Sequence, residues 1–206
     1  MTAEHGGRWL GSDAPRGDAY DARLQARLVG RNPHGEADFV EQLAGRWFSA
    51  KAATLKMLDG GCGTGRVSIE LARRDFDIIG VDLDPAMLGT ARIKAPDMSW
   101  LLGDLASTDL GHAVDLAVLA GNVMIFVGRG HEGAVLSNIA RQITPGGLLV
   151  AGFQIQPGGL DPDEYDALAA TAGLEPVERW STWDRAPWTP ASSYVVLVHR
   201  AAPAQG

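Results

Sequence analysis

Short apolar runs alternate with segments of helical periodicity along most of the chain from residue 54 onward. Runs rich in Val, Ile and Leu predict strands, and apolar residues spaced three or four apart predict helices. We expect strands at 54–58, 77–82, 98–102, 114–120 and 147–153. We expect helices at 64–74, 85–95, 130–143 and 161–172. This alternation is typical of βαβ units, in which helices cover both faces of a parallel sheet.

The C-terminal part of the chain breaks this alternation. Residues 176–184 and 192–200 both have strand-like patterns, and the Pro-containing link at 185–190 predicts no helix. Two strands joined without a crossover helix are antiparallel neighbours or lie far apart. We therefore expect an α/β fold with a doubly wound, mostly parallel sheet of seven strands and an antiparallel C-terminal strand. Thr-Pro-Gly-Gly at 144–147 is interpreted as the stop between a helix and the fifth strand.

The N-terminal region predicts two helices ahead of the sheet, at 18–29 and 36–50. Residues 1–17 are rich in Gly, Ser, Asp and Pro without periodicity, which predicts a mobile tail. The 206 residues are enough for one domain. We expect that domain at 18–200, with a helical lid at 18–50 and a second short tail at 201–206.

The net charge of −7 argues against a nucleic-acid surface, which needs clustered Lys and Arg. The single cysteine, Cys62, excludes an intrachain disulfide and a Cys-rich zinc site. The five histidines show no metal-ligand spacing, so we predict no metal. No segment has the length and composition of a signal peptide or a membrane span, so we expect a cytoplasmic protein that binds no membrane.

A glycine-rich loop at 58–66, Leu-Asp-Gly-Gly-Cys-Gly-Thr-Gly-Arg, lies between the first predicted strand and the helix after it. Its alternating pattern is D-x-G-x-G-x-G, which begins at Asp59. Glycine permits a positive φ and lets a ligand approach the backbone. The dinucleotide fingerprint G-x-G-x-x-G presents helix amides to a pyrophosphate. This loop closes one residue sooner and carries an acid, which favours a cationic ligand and disfavours an NAD-dependent oxidoreductase.

Three further strand ends carry candidate ligand-binding residues. Asp82 ends the second strand, where its carboxylate can accept both hydroxyls of a ribose, because Asp84 is available to cap the next helix. Asp104 follows the third strand, where it can accept from the exocyclic amine of a purine. Small residues at 120–121 follow the fourth strand. The carboxyl ends of parallel strands converge, so we expect these positions to share one crevice.

In this order and spacing, the segments over residues 36–200 resemble the class I S-adenosylmethionine-dependent methyltransferases of the small-molecule type. The resemblance implies a Rossmann-like fold with S-adenosylmethionine as the cofactor. Residues 59–65 resemble the family's first motif, which holds the methionine part of the cofactor. Asp82 resembles the acid that binds the ribose, and Leu83 the apolar residue on the adenine face.

The remaining positions follow from the same resemblance. Asp104 and the amide of Leu105 match the position that binds the adenine in the family. Residues 120–121 match the strand end that lies near the sulfonium. The turn at 145–147 matches the family's turn before its fifth strand. Tyr20 lies in a segment that looks like the N-terminal lid, where relatives bring an aromatic hydroxyl to the cofactor. The cofactor-binding residues implied are Tyr20, Asp59, Gly61, Cys62, Gly63, Thr64, Asp82, Leu83, Met87, Asp104, Leu105, Ala120, Gly121 and Asn122.

The catalytic residue is left unknown by the sequence. His34 is a candidate general base, and Asn122 a candidate at the end of the fourth strand. Cys62 is interpreted as a small loop filler and not as a nucleophile. The tryptophans at 180–188 either pack on the final strands or form an aromatic wall for an acceptor. No Asn-Pro-Pro-Tyr segment is present, which disfavours methylation of nucleic-acid bases.

We therefore expect an enzyme that transfers a methyl group from S-adenosylmethionine to a small-molecule acceptor by direct displacement. The alternative is a non-catalytic or regulatory S-adenosylmethionine-binding protein. The expected partner is a small-molecule acceptor, with no nucleic acid or membrane, and the protein is expected to be a monomer or homodimer. The sequence leaves open the acceptor and whether N, O or C is methylated.

Overall fold

The computed structural model describes residues 7–30, 32–49 and 54–202, and within them seven strands form one sheet. The strands are β1 (Lys56–Gly60), β2 (Asp77–Asp82), β3 (Ser99–Leu102), β4 (Val114–Leu119), β5 (Ile143–Gln154), β6 (Leu174–Trp180) and β7 (Tyr194–Ala201). The helices are α1 (Gly7–Leu10), α2 (Gly17–Leu28), α3 (Gly35–Trp47), α4 (Arg66–Ala72), α5 (Pro85–Lys94), α6 (Val123–Phe126), α7 (Glu132–Ala140) and α8 (Pro162–Thr171).

The strand order is β3-β2-β1-β4-β5-β7-β6. The first five strands are parallel, and β7 lies antiparallel between β5 and β6. This confirms the expected doubly wound, mostly parallel sheet with an antiparallel C-terminal strand. The strand order reverses between β1 and β4, and ligands of such sheets bind outside the carboxyl ends of the strands at that point.

Helices cover both faces of the sheet because central strands such as β4 are apolar on both sides. Ala117 and Leu119 face a core formed with α6, α7 and α8. Leu116 and Val118 face a second core formed with α3 and α4. All four side chains are buried, so removal of apolar surface from water holds the helices on both faces of the sheet.

The expected turn at 144–147 is corrected by the structure. β5 begins at Ile143, which pairs with Val114, and the pairing resumes only at Leu148 with Leu116. The Thr-Pro-Gly-Gly segment therefore forms an irregularity inside the strand and not a stop before it. Because Ile143 pairs with the start of β4, β5 begins before the Pro-Gly-Gly segment that indicated a turn.

The N-terminal segment also differs from the expectation of a mobile tail at 1–17. Residues 7–10 form α1, and the following turn contacts the body of the domain. Residues 1–6 and 203–206 lie outside the described residues, as does Ala50 at the end of the expected helix 36–50. β7 continues to Ala201, so this residue belongs to the sheet and not to the expected tail at 201–206. The domain bounds 18–200 stay a prediction.

Trp100 in β3 packs where two glycines leave room, at Gly65 and at Gly80 in β2. A Cβ at Gly80 would lie 2.5 Å from Trp100 Cε3 and 2.9 Å from Cys62 Sγ. The absence of a side chain at Gly80 therefore lets the Trp100 ring lie against the sheet beside the glycine-rich loop.

We expect Gly80→Ala to lower the free energy of unfolding by about 1–3 kcal/mol, because the added methyl overpacks the Trp100 contact. Gly89→Ala is the matched control, since a Cβ at this helical position meets nothing within 4 Å. That variant should gain roughly 0.5–1 kcal/mol from the reduced freedom of the unfolded chain. Urea denaturation measures both, and a Gly80→Ala protein as stable as the wild type would contradict the packing.

Candidate cofactor site

The glycine-rich loop folds back on β2 as it leaves β1. The amides of Gly61 and Cys62 donate to the carbonyl oxygen of Val81 at 2.8 and 3.0 Å. Gly61 has φ +71° and Gly63 has φ +58°, conformations that other residues rarely adopt. A Cβ at Gly61 would also lie 2.5 Å from Val123 Cγ2. Glycine is therefore required here by backbone conformation and by close approach, before any ligand is considered.

Asp59, at the end of β1, joins the strand to the helix that follows the loop. Its Oδ2 accepts from the Ser68 amide at 3.1 Å and from Ser68 Oγ at 2.6 Å. Only 2% of the residue is exposed. Burial raises the pKa of Asp59 to about 6, although the hydrogen bonds from Ser68 oppose the shift. Asp59 thus connects β1 to α4 across the loop, and its carboxyl group is a buried acid beside the loop.

Asp82, at the end of β2, is bound by two backbone amides. Its Oδ2 accepts from Gly63 N at 2.7 Å and its Oδ1 from Asp84 N at 2.8 Å. Burial raises the pKa of Asp82, and these backbone hydrogen bonds oppose the rise. A carboxylate offers about four acceptor positions, so these two bonds do not use its full capacity to accept from ligand hydroxyls.

Asp84 caps α5, as the sequence indicated. Its Oδ1 accepts from Ala86 N at 2.9 Å and from Met87 N at 3.4 Å, and Pro85 is the first helical residue. The helix is therefore capped without Asp82.

The loop after β3 is held by α7. Asn138 Nδ2 donates to the carbonyl oxygen of Leu105 at 2.9 Å. Asp104 Oδ1 accepts from Ala106 N at 2.9 Å, which closes a local turn. These bonds fix the Asp104 carboxylate and the Leu105 backbone at the carboxyl edge of the sheet.

The chain after β4 turns sharply through Gly121 and Asn122, both with a positive φ. Asn122 Oδ1 accepts from the amide of Gln154 at 2.8 Å, so this side chain ties the turn to the end of β5. The turn leads into α6, which the sequence analysis missed because Gly-Asn interrupts its apolar run. Phe126 of α6 lines the site.

Two adjoining cavities lie at this edge of the sheet, and they share Tyr20, Gly61, Gly63 and Gly121. The larger has a volume of about 210 Å³. Each of the residues expected from the sequence to bind the cofactor lines at least one cavity. The larger cavity holds Asp82, Leu83, Met87, Asp104, Leu105 and Asn122. The smaller holds Asp59, Cys62, Thr64 and Ala120.

The helical lid is anchored beside these cavities by polar contacts. In α2, Asp21 accepts from Thr64 Oγ1 at 2.6 Å and pairs with Lys94 of α5. In α3, Glu36 pairs with Arg66 of α4 at 2.6 Å. Tyr20 thereby lies at the junction of the two cavities. Burial raises the pKa of Tyr20, so its hydroxyl stays protonated at neutral pH.

The other candidates from the sequence are His34, Cys62 and the tryptophans at 180–188. His34 is outside both cavities, with Nδ1 3.5 Å from Glu70 Oε2. Burial raises the pKa of the Cys62 thiol, which agrees with its interpretation as a loop filler. Trp183 packs edge-on against Phe39 with ring centroids 5.4 Å apart. The tryptophans at 180–188 line neither cavity, which favours packing over an aromatic wall.

Several residues of the cavity walls were not expected from the sequence. The larger cavity is completed by Trp9, Arg27, Gly103, Val123, Phe126, Val127 and Val135. The smaller is completed by Leu24, Arg66 and Val67. One feature of the sequence sets Trp9 apart, because it is the only Trp, Tyr or Phe in the first 17 residues.

The charges of the site fit S-adenosylmethionine. Asp59 and Asp82 are buried carboxylates, and neither forms an ion pair within the described part of the chain. A ligand with a sulfonium and an ammonium group would compensate them, whereas a pyrophosphate would be repelled.

Residues 7–30, 32–49 and 54–202 contain no cluster of three His, Cys, Asp or Glu side chains suited to a metal ion. Among the helices in the same residues, none has the length and apolar character needed to span a membrane.

Comparison with known proteins agrees with this fold. A family model described as "Methyltransferase domain" matches residues 57–147. A TehB-like SAM-dependent methyltransferase of Corynebacterium glutamicum is 30% identical, with a TM-score of 0.78, and the match covers 88% of this chain and 96% of that one. The chain therefore belongs to the S-adenosylmethionine-dependent methyltransferases.

Two curated relatives match smaller shares of sequence. Magnesium-protoporphyrin O-methyltransferase of Rhodobacter capsulatus is 33% identical over 42% of this chain. The dTDP-3-amino-3,6-dideoxy-alpha-D-glucopyranose N,N-dimethyltransferase of Streptomyces fradiae is 30% identical over 80% of this chain. The match covers 40% of the length of the first relative and 63% of the second.

We expect Asp82→Ala to weaken the binding of S-adenosylmethionine about tenfold or more, because it removes an acceptor for the ribose hydroxyls. Isothermal titration calorimetry measures the dissociation constant. Asp97→Ala, at an exposed acid of the loop after α5, is the control and should bind as the wild type does. An unchanged affinity in Asp82→Ala would show that this carboxylate only holds the loop.

Asp59→Asn should stabilise the free protein at neutral pH. The raised pKa means that folded Asp59 binds its proton more tightly than unfolded Asp59 does. The free energy of unfolding of the wild type therefore falls as the pH rises from about 4 to about 6. We expect the variant to be more stable by about 3 kcal/mol at pH 7, with the difference vanishing near pH 4. Urea denaturation across this range measures it, and a pH-independent difference would contradict the assignment.

Proposed function

We propose that this protein transfers a methyl group from S-adenosylmethionine to a small-molecule acceptor by direct displacement. One observation carries the proposal. The candidate cofactor residues from the ends of β1 to β4 and from the lid meet in two adjoining cavities that contain buried, unpaired carboxylates.

Each part of the site has an assigned role in this proposal. Asp82 accepts from the ribose hydroxyls, and Asp104 from the adenine amine. Leu83 and Leu105 pack on the adenine. The loop at 61–64 surrounds the methionine part, close to Asp59. These assignments stay predictions.

The cofactor, when bound, supplies a methyl group on a cationic sulfonium whose thioether leaving group is neutral. The protein's own contribution is then alignment of the acceptor and exclusion of water. Ala120 and Gly121 leave space at the end of β4 for the acceptor to approach. The Tyr20 hydroxyl, protonated at neutral pH, can orient a polar group at the junction of the cavities. A dedicated base is needed only where the acceptor must lose a proton before attack.

The finer expectations on partners and location stay part of the proposal. A net charge of −7 supports a small molecule over a nucleic acid as the acceptor. The single cysteine in 206 residues supports a reducing compartment such as the cytoplasm. The expected state of assembly in this proposal is a monomer or homodimer.

Calorimetric titration with S-adenosylmethionine and with NAD tests the cofactor. We expect binding of one S-adenosylmethionine per chain in the micromolar range and no binding of NAD. Binding of NAD without S-adenosylmethionine would overturn the proposal.

Transfer itself is tested with S-adenosylmethionine that carries a radiolabelled methyl group. The protein is incubated with the dialysable and the macromolecular fractions of a cell extract, and with a model amine, phenol and carboxylic acid. We expect label in a dialysable product. Label confined to protein or RNA would contradict a small-molecule acceptor. Cofactor binding without transfer to any fraction would favour the non-catalytic alternative.

A further inference from the structure

The N-terminal arm (residues 7–17) brings one aromatic side chain to the larger cavity. Trp9 is part of the cavity wall together with Asp82, Leu83 and Met87, which face the adenosine half of the proposed site. Its ring packs edge-on against Phe126, with centroids 4.9 Å apart and an interplanar angle of 78°. Trp9 of the arm thus lies beside Phe126 of α6 in the wall of the larger cavity.

Trp9 is held in this position by polar contacts. Its Nε1 donates to Asp84 Oδ2 at 2.9 Å. Arg16 Nε donates to the same oxygen at 2.5 Å, and its guanidinium carbon lies 4.4 Å from the centroid of the Trp9 ring. Arg16 Nη2 also donates to the Trp9 carbonyl oxygen at 2.8 Å. Three groups are therefore joined, and we name Trp9, Arg16 and Asp84 the Asp84 latch.

The two oxygens of Asp84 have separate tasks. Oδ1 accepts from the amides that begin α5, whereas Oδ2 accepts only from the arm among the bonds described above. Burial would raise the pKa of Asp84, but the hydrogen bonds from Trp9 and Arg16 hold it below its ordinary value. The Asp84 amide in turn donates to Asp82. The latch and the proposed ribose acceptor are thus directly connected.

We propose that Trp9 is a further cofactor-binding residue, which covers the adenosine half of the site, and that Arg16 and Asp84 position it. This inference rests on the proposed function, because it takes S-adenosylmethionine as the occupant of the larger cavity. Trp9 forms part of the wall, so opening of the latch exposes the cavity to solvent on that side. The latch therefore limits the rate at which the cofactor leaves.

The variant Asp84→Asn separates the two tasks of this side chain. The Asn oxygen accepts from the helix amides as Asp Oδ1 does, and Asn caps helices as well as Asp does. Its NH2 group replaces Oδ2 and cannot accept from Trp9 or Arg16. Asp161→Asn is the matched control. Asp161 caps α8 ahead of Pro162, accepts from the Glu164 amide at 2.8 Å and lines neither cavity.

Stopped-flow fluorescence measures the dissociation rate of S-adenosylmethionine, and calorimetry measures its affinity. We expect Asp84→Asn to release the cofactor about tenfold faster, as for loss of hydrogen bonds to a charged group. Arg16→Gln should act in the same direction, and Trp9→Ala should weaken binding most. Asp161→Asn should match the wild type. Wild-type dissociation rates and affinities in all three latch variants would overturn the proposal.

Limited trypsin digestion of the free protein tests the latch without the cofactor. Cleavage after Arg16 should be slow in the wild type and in Asp161→Asn, because the Arg16 side chain is bound to Asp84. It should be several-fold faster in Asp84→Asn, and equal rates would overturn the latch. If the wild type binds no S-adenosylmethionine, the proposed function fails, and the digestion still decides whether the latch exists.

Discussion

The carboxylate of Asp82 connects parts of the molecule that are distant in sequence. One oxygen accepts from the amide of Gly63 in the loop after β1, and the other from the amide that precedes α5. The loop can lie this close only because its backbone adopts a positive φ at Gly61 and Gly63. The two cavities share Gly61 and Gly63 of this loop, so the position that the Gly63 bond gives the loop affects the walls of both.

The same arrangement has an electrostatic cost. Asp59 and Asp82 are withdrawn from water, and backbone amides and Ser68 replace only part of their hydration. The pKa of each carboxyl is raised by burial, so the free protein is strained electrostatically at neutral pH. A cationic ligand relieves that strain. Binding selectivity and stability of the free protein are thus opposed at these two residues.

Much of the fold and site could be predicted because the relevant signals are local. β4 is buried on both faces, so its sequence is a nearly continuous apolar run, and Asp82 stands at the end of another such run. The start of β5 could not be predicted, because pairing of Ile143 with Val114 overrides the local Pro-Gly-Gly signal. Nor could the role of Trp9, whose partner Asp84 is 75 residues away. Patterns of neighbouring residues do not indicate contacts between residues that are distant in sequence.

The position of β7 has a consequence for synthesis of the protein. In the described sheet β6 is hydrogen-bonded to β7 alone, and β7 lies between it and β5. A nascent chain that has reached Trp180 therefore exposes unpaired strand edges on β5 and on β6 until β7 leaves the ribosome. Unpaired edges of this kind favour aggregation during folding. By pairing with both β5 and β6, β7 thus protects the newly made chain from association with its neighbours.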